Sequence, residues 1–394
     1  DTLHYRVNGT VTSTDASTPL LTAGPISLTG AADFAISRWD VNLGILDSTA
    51  LVARGQVDLN ATPTPDDDTD DTRTSLAIED LVTVYVEGSL AIAQITPDGE
   101  TEARYTAIKM GDVNVEFASG GSAFPVNGTL TINELDYNNA ADGFDRLDWN
   151  NTLDLDGDGD IDQVDPGADL TPPVDLTINL PDTLHYRVNG TVTSTDASTP
   201  LLTAGPISLT GAADFALSRW DVNLGTLDST ALVLNTGTTL AIDGLATVKL
   251  SGQISLAQIT PDGETDARYT AIKMGDVTIS TDSGDATASS NQDAIALDGT
   301  LTINELDYNH AADGFDRLDW NNDLDLDGDG TPGQVDPGAD LTPSVDLTIN
   351  LPDTLHYRVN GNVNGSPLLA AGPVTISGSA DFAISRWDVN LGTL

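Results

Sequence analysis

The chain contains no cysteine, so neither disulfides nor thiolate chemistry enter its fold or its function. Histidine is almost as scarce. Of four in 394 residues, three are one repeated position, His4, His185 and His356, set inside an alternating strand pattern on the side expected to face solvent. That leaves little material for a zinc cluster or a histidine-based catalytic centre, and no nucleophile elbow or phosphate-binding loop is present. The chain is therefore expected not to be an enzyme. Basic residues are also few: 15 Lys and Arg stand against 61 Asp and Glu, for a net charge of −46. A polyanion of this kind does not bind nucleic acid or an anionic membrane by charge attraction. No apolar run reaches the length of a membrane span. Aromatic residues make up 5% of the chain, which leaves few stacking platforms for sugars.

What the chain has in abundance is aspartate. Only 8 of the 61 acidic residues are glutamate. Aspartate is a poor helix former that favours turns and metal loops. Two settings accommodate so much of it. One is bound calcium. The other is a salty medium, in which the Debye length shrinks to about 3 Å at 1 M and self-repulsion fades.

The second abundance is repetition. Asp1-Thr2-Leu3-His4-Tyr5-Arg6-Val7-Asn8-Gly9 returns at Asp182 and again at Asp353. Residues 1–51 and 182–232 differ only at Ile36, which becomes Leu217, and at Ile45, which becomes Thr226. The second copy lacks a stretch containing Thr62-Pro63-Thr64-Pro65-Asp66-Asp67-Asp68. A segment that one copy omits is expected to be a surface loop. The repeat is far longer than a solenoid coil, and three units are expected: 1–181, 182–352, and 353–394 as the truncated start of a third. The chain opens on Asp1 and stops inside a recurring motif, so a piece of a longer repeat protein is expected.

Within each unit, apolar residues alternate around a glycine. Examples are Ile26-x-Leu28-x-Gly30-x-Ala32-x-Phe34 and Val84-x-Val86-x-Gly88-x-Leu90-x-Ile92. Period two predicts half-buried strands, with the apolar set inward. The inward glycines predict a bend or the close approach of another backbone. The phase then slips by one, from Ile36 to Trp39 and from Ile132 to Leu135, as a β-bulge would require. The expected class is all-β: tandem β-sandwich-like repeat domains with calcium-loop junctions, with a β-helix or β-solenoid as the alternative. Trp39 and Trp220 are expected to be buried in their strands.

One motif carries specific chemistry. Residues 154–165 read Asp-Leu-Asp-Gly-Asp-Gly-Asp-Ile-Asp-Gln-Val-Asp. Calcium takes six to eight oxygen ligands, and a twelve-residue loop with a glycine at position 6 supplies them. The expected ligands are Asp154, Asp156, Asp158, Asp160 through its carbonyl, Asp162 directly or through water, and Asp165 at the closing position. Gly159 makes the sharp turn, and Ile161 is expected to anchor the loop on apolar neighbours. The second copy keeps Asp325, Asp327, Asp329 and Asp336, with Thr331 at position 7. It carries Gly333 at position 9, so weaker binding is expected there. These loops resemble those of dockerin modules and thrombospondin type 3 repeats, which are extracellular calcium-loop families. The resemblance covers about a dozen residues per copy, so it implies a Ca²⁺ site and not a fold. Asp165 and Asp336 stand where a full EF-hand has glutamate, and Pro166-Gly167 follows at once in place of a flanking helix.

Upstream, Asp142, Asp145 and Asp148 would share one face if residues 136–150 were helical, with Phe144, Leu147 and Trp149 packing the segment onto the sheet. Together these features describe a secreted structural protein. It would form a calcium-stiffened rod, filament or adhesin stalk on a cell surface or in a matrix. Its expected partners are copies of itself or neighbouring repeats, with a glycan or other cell-surface ligand as a further candidate. The alternative is a non-catalytic carbohydrate-binding or scaffolding module of a larger secreted protein.

Overall fold

A computed structural model describes residues 3–12, 21–23, 26–54, 56–58, 71–73, 75–78, 82–117, 129–155, 158–194, 202–204, 207–242, 246–281, 299–326, 332–371, 374–389 and 392–393. The chain forms two compact units, Asp1–Gly190 and Thr191–Leu394.

The all-β expectation holds. The first unit has strands β1 (Leu3–Thr12), β2 (Leu21–Ala23), β3 (Ile26–Thr29), β4 (Ala31–Val41), β5 (Gly44–Arg54), β6 (Gln56–Asp58), β7 (Asp71–Arg73), β8 (Ser75–Ile78), β9 (Val82–Thr96), β10 (Tyr105–Phe117) and β11 (Thr129–Ala140). It also holds residues 184–190 of β12 (Leu184–Thr193). The second unit has β13 (Leu202–Ala204), β14 (Ile207–Thr210), β15 (Ala212–Val222), β16 (Gly225–Ile242), β17 (Ala246–Thr260), β18 (Tyr269–Thr281), β19 (Gly299–Ala311), β20 (Leu355–Ala371), β21 (Val374–Val389) and β22 (Gly392–Thr393). Among the described residues the helical elements are the short 3-10 turns Pro166–Asp169 and Pro337–Asp340. None is long and apolar enough to cross a membrane.

Each unit is an open antiparallel meander. The order is β1–β4–β5–β9–β10–β11 in the first and β15–β16–β17–β18–β19–β20–β21 in the second. Every one of these ladders is antiparallel, which sets aside the β-solenoid alternative with its repeating coils. The layer facing the sheet is irregular chain. Leu147, Trp149, Leu153, Val164, Leu176, Ile178 and Leu180 are buried in the segment that follows β11. In the second unit the equivalent segment brings Leu318, Trp320, Leu324, Val335, Ile349 and Leu351 into one cluster with Leu227, Ala257, Ile259 and Ala271 of the sheet. Burying a side chain of this size contributes about 1.5–3 kcal/mol, so this covering segment is a principal part of the core.

The strand phase differs from the sequence expectation. The tightly covered face carries Ala35, Ser37, Leu46, Ser48, Ala50, Ala91, Ala93, Ile95 and Ala107, all buried. Alanine and serine let the covering chain lie close to the sheet. The larger residues of the alternating pattern stand on the opposite face, where Val7, Ile36, Thr49, Ile92, Ile108 and Tyr137 align across six strands. Ile36 is 39% exposed and Ile384 54%. Trp39 and Trp220 are half-buried rather than buried.

The glycine expectation holds at Gly88, and the bulge expectations hold in part. Gly88 has φ +146, and a Cβ there would lie 2.6 Å from the Val113 Cα. Opposite it, the β9–β10 register slips between Gly111 and Asn114, with Asp112 at φ 51, a region that aspartate tolerates better than most residues. The bulge expected near Trp39 lies on the partner strand: Leu3 pairs Trp39 and Tyr5 pairs Arg38, so His4 is the extra residue. The bulge expected between Ile132 and Leu135 is seen in the second copy, where Ile303 pairs Gly361 and Glu305 pairs Asn360. The copy-specific insertion extends a hairpin, with β6 pairing β7. In the second copy β16 continues to Ile242, with a register shift against β17 between Leu234 and Thr238. Residues 62–70 of the insertion lie outside the described residues.

Candidate functional site

Two features combine the residues that carry chemistry: the aspartate loop, and the junction where one sequence repeat hands over to the next.

The loop is pinned at its start by the hairpin between β4 and β5. Asn42 Nδ2 donates to the Thr152 carbonyl at 2.8 Å, and Asn42 Oδ1 accepts from the Asp154 N–H at 3.4 Å. Asn223 does the same in the second copy, toward the Asp323 carbonyl at 3.0 Å and the Asp325 N–H at 3.1 Å. Gly159 turns the chain at φ +93, as position 6 requires. The loop then folds back on itself. Asp154 Oδ2 accepts from the Gly159 N–H at 3.0 Å, Asp158 Oδ1 from the Asp160 N–H at 2.8 Å, and Asp162 Oδ2 from the Leu155 N–H at 2.8 Å.

Asp165 has a different task. Its Oδ1 accepts from the N–H groups of Gly167, Ala168 and Leu176 at 3.0, 3.2 and 3.4 Å, so it caps the 3-10 turn and ties it to the covering segment. Asp336 repeats this toward Gly338 and Leu347, both at 3.1 Å. Ile161 is 53% exposed, so it does not anchor the loop. Asp156, Asp327, Asp329 and Thr331 lie outside the described residues. Among the described residues, no group of three or more acidic or imidazole side chains converges as a metal set. The donor chemistry of Asp154, Asp158, Asp160 and Asp162 is all oxygen and suits a hard cation such as calcium.

The segment before the loop is not helical. Residues 141–150 are turn and irregular chain, so Asp142, Asp145 and Asp148 do not form a helical face. Asp148 makes a local turn, accepting from the Asn150 N–H at 2.9 Å. Leu147 and Trp149 pack inward as expected, whereas Phe144 is 49% exposed with the Arg104 guanidinium 4.0 Å over its ring. Trp149 Nε1 donates to the Asn138 Oδ1 at 3.1 Å, and Asn138 Nδ2 donates to the carbonyls of Leu147 and Pro181, both at 2.9 Å.

The junction is best seen in the second unit, which contains the change from repeat two to repeat three. The last strand of one repeat, β19, pairs with the first strand of the next, β20, and β20 pairs in turn with β21. Asp307 in β19 is fully buried. Arg358 from β20 donates to it through Nε at 3.1 Å and reaches Glu305 through Nη2 at 2.6 Å, while Asn360 Nδ2 donates to the other Glu305 oxygen at 3.0 Å. The first unit holds the same constellation. Arg187 reaches Glu134 at 2.9 Å and buried Asp136 at 2.6 Å.

A second clasp involves the repeated histidine. His356 Nε2 donates to Asp388 Oδ1 at 2.9 Å, and its Nδ1 accepts from Arg317 Nη1 at 3.2 Å. Arg317 also donates to Asp388 directly and, through Nε, to the Asp353 carbonyl at 2.8 Å. The Asp388 carboxyl is lowered to about 2, first by the hydrogen bond from His356 and then by that from Arg317. In the first unit Arg146 makes the matching contacts, to the Asp182 carbonyl at 2.9 Å and to His185 Nδ1 at 3.1 Å. Reasoning from the sequence did not single out these arginines, Asp136, Asp307 or Asp388. The available signal was the unchanged return of Asn-Glu-Leu-Asp-Tyr and His-Tyr-Arg in successive copies.

Comparison with protein-family models, with curated proteins and with solved structures returned no match.

Proposed function

We propose that this chain is a structural, non-catalytic extracellular protein, in which successive repeats build a stiff rod, filament or adhesin stalk at a cell surface or in a matrix. The observation that carries this reading is the junction. Consecutive repeats are not separate beads joined by a linker, because β19, β20 and β21 are successive strands of one antiparallel ladder. A buried carboxylate on the outgoing strand is matched by an arginine on the incoming strand. An unpaired buried charge is costly, so each repeat end favours the start of another repeat as its neighbour, and the partners expected are further repeats or copies of the chain.

Calcium supports the same role. Asp154, Asp158, Asp160 and Asp162, with Asp156, would hold the ion in the first copy, and Asp325, Asp327, Asp329 and Thr331 in the second. The bound cation would neutralise local repulsion and order the loop that leads into the covering segment. Asp165 and Asp336 would contribute chiefly by holding that segment in place.

Electron microscopy of chains carrying increasing numbers of repeats tests the reading. Contour length rising by a constant increment per repeat, with no bending concentrated at repeat boundaries, is expected. Particles that hinge freely between repeats would contradict it.

A further inference from the structure

The chain has three lysines in 394 residues, Lys109, Lys249 and Lys273. Two of them occupy the same place in successive copies, and each touches an asparagine amide. Lys109 Nζ lies 3.1 Å from Asn179 Oδ1. Lys273 Nζ lies 3.1 Å from Asn350 Oδ1 and also donates to the Thr348 carbonyl at 2.9 Å.

A buried acid completes the set. Asp136 is the cross-strand neighbour of Lys109, and Asp307 that of Lys273. Both carboxylates are fully buried. Asp136 Oδ1 lies 3.7 Å from the Lys109 amine, while Oδ2 is held by Arg187 at 2.6 Å. The Oδ1 atoms of Asp136 and Asp307 are both buried without a hydrogen-bond partner.

The asparagines are held rigidly. Asn179 sits between fully buried Ile178 and Leu180, and Asn350 between Ile349 and Leu351. Ile178 and Ile349 bridge to Val164 and Val335. The asparagine side chains themselves face solvent, whereas the Lys109 side chain is 19% exposed.

From this constellation we propose that Lys109 and Asn179, and likewise Lys273 and Asn350, form intramolecular amide cross-links between sheet and covering segment. Asp136 Oδ1 takes one proton from the Lys109 ammonium. The freed amine attacks Asn179 Cγ, so a C–N bond forms. The C–Nδ2 bond then breaks as Nδ2 receives the proton that Asp136 carried and departs as ammonia; Asp136, ionised again, takes the second proton from the new amide nitrogen and passes it to the ammonia, which leaves as ammonium. Carbon and nitrogen keep their oxidation states, no co-reactant is needed, and the ammonium leaves through the exposed side of the asparagine. Held neighbours supply the orientation that makes such a step fast relative to the same reaction in free solution. In a protein without cysteine, these bonds would fasten the two layers of each repeat covalently. Neither a rod nor bound calcium is needed for this bond to form.

The test is the intact mass of the full chain under denaturing conditions, followed by peptide sequencing. Each cross-link releases one ammonia, so the chain is expected about 34 Da below its sequence mass, at about 17 Da per bond. A branched peptide must join the Lys109 and Asn179 segments. Asn179→Ala, a surface change that leaves the core intact, is expected to remove one decrement and that branched peptide while the Lys273–Asn350 bond persists. Asp136→Asn is expected to leave Lys109 and Asn179 unjoined in folded protein. A chain at its full sequence mass overturns the proposal. So does a deficit located at an Asn-Gly succinimide, such as Asn8-Gly9, with no branched peptide.

Discussion

Arg358, in the first strand of one repeat, donates through Nε at 3.1 Å to Asp307 in the last strand of the repeat before it, and that carboxylate is fully buried. The pair sets the register of the junction as well as its charge balance. A shift of β20 by one residue would turn Arg358 to the other face of the sheet and leave Asp307 without it. Arg358→Ala is therefore expected to destabilise the second unit by about 1–3 kcal/mol, measured by urea unfolding. The double change Arg358→Met with Asp307→Leu should recover most of that loss, because a buried ion pair replaced by apolar residues is often neutral.

Two glycines at positive φ should respond differently to alanine. At Gly88 an added Cβ would meet the Val113 Cα at 2.6 Å and the Asp112 carbonyl at 2.7 Å, so Gly88→Ala is expected to cost roughly 3 kcal/mol by combining backbone strain with overpacking. Gly159 has nothing within 4 Å of the added atom, so Gly159→Ala should cost only about 1 kcal/mol from its backbone conformation. Chemical denaturation of the two variants side by side gives the comparison.

The clasp of Arg317, His356 and Asp388 predicts an acid limb. The Asp388 carboxyl is lowered from 3.8 to about 2 by His356 and Arg317. A depressed folded value means that its contribution is complete above about pH 4 and is lost as the pH falls toward 2. Asp388→Asn should lower stability at neutral pH and flatten the profile across that window, as read by unfolding midpoints between pH 2 and pH 6.

Calcium is expected to raise the thermal midpoint by roughly 5–10 °C at saturating concentration relative to EGTA, as ligand linkage implies for a domain of this size. A variant carrying Asp154→Ala and Asp156→Ala should lose most of the rise that belongs to the first loop. The second loop, with Gly333 at position 9, should saturate at higher calcium in a titration.

Much of the fold was legible in the sequence, because period two, turn glycines and near-identical copies report directly on strands and on their recurrence. The position of Gly88 and of the bulge between Ile303 and Glu305 followed from that pattern, whereas the extra residue near Trp39 is His4 on the partner strand. The facing of the strands did not. Alanine at Ala50, Ala91 and Ala107 carries little hydrophobic signal, yet it occupies the tightly covered face because only a small side chain admits the covering segment there. The larger Ile36 and Ile92, which dominate the pattern, face away. The junction was hidden for another reason. Arg358 and Asp307 are 51 residues apart, and sequence spacing does not reveal that the first strand of one repeat completes the sheet of the last. The acidic loop drew attention to its ligand-like spacing, while the capping role of Asp165 depends on Leu176 returning to it from eleven residues away.

Native-state hydrogen exchange across the repeat boundary tests the central claim most directly. If consecutive repeats share one ladder, the ladder-bonded amides of β20 between Tyr357 and Val363 should exchange as slowly as those of β17 and β18 in the middle of the sheet. Exchange there at the rate of an exposed linker, with β17 and β18 still protected, would contradict the account.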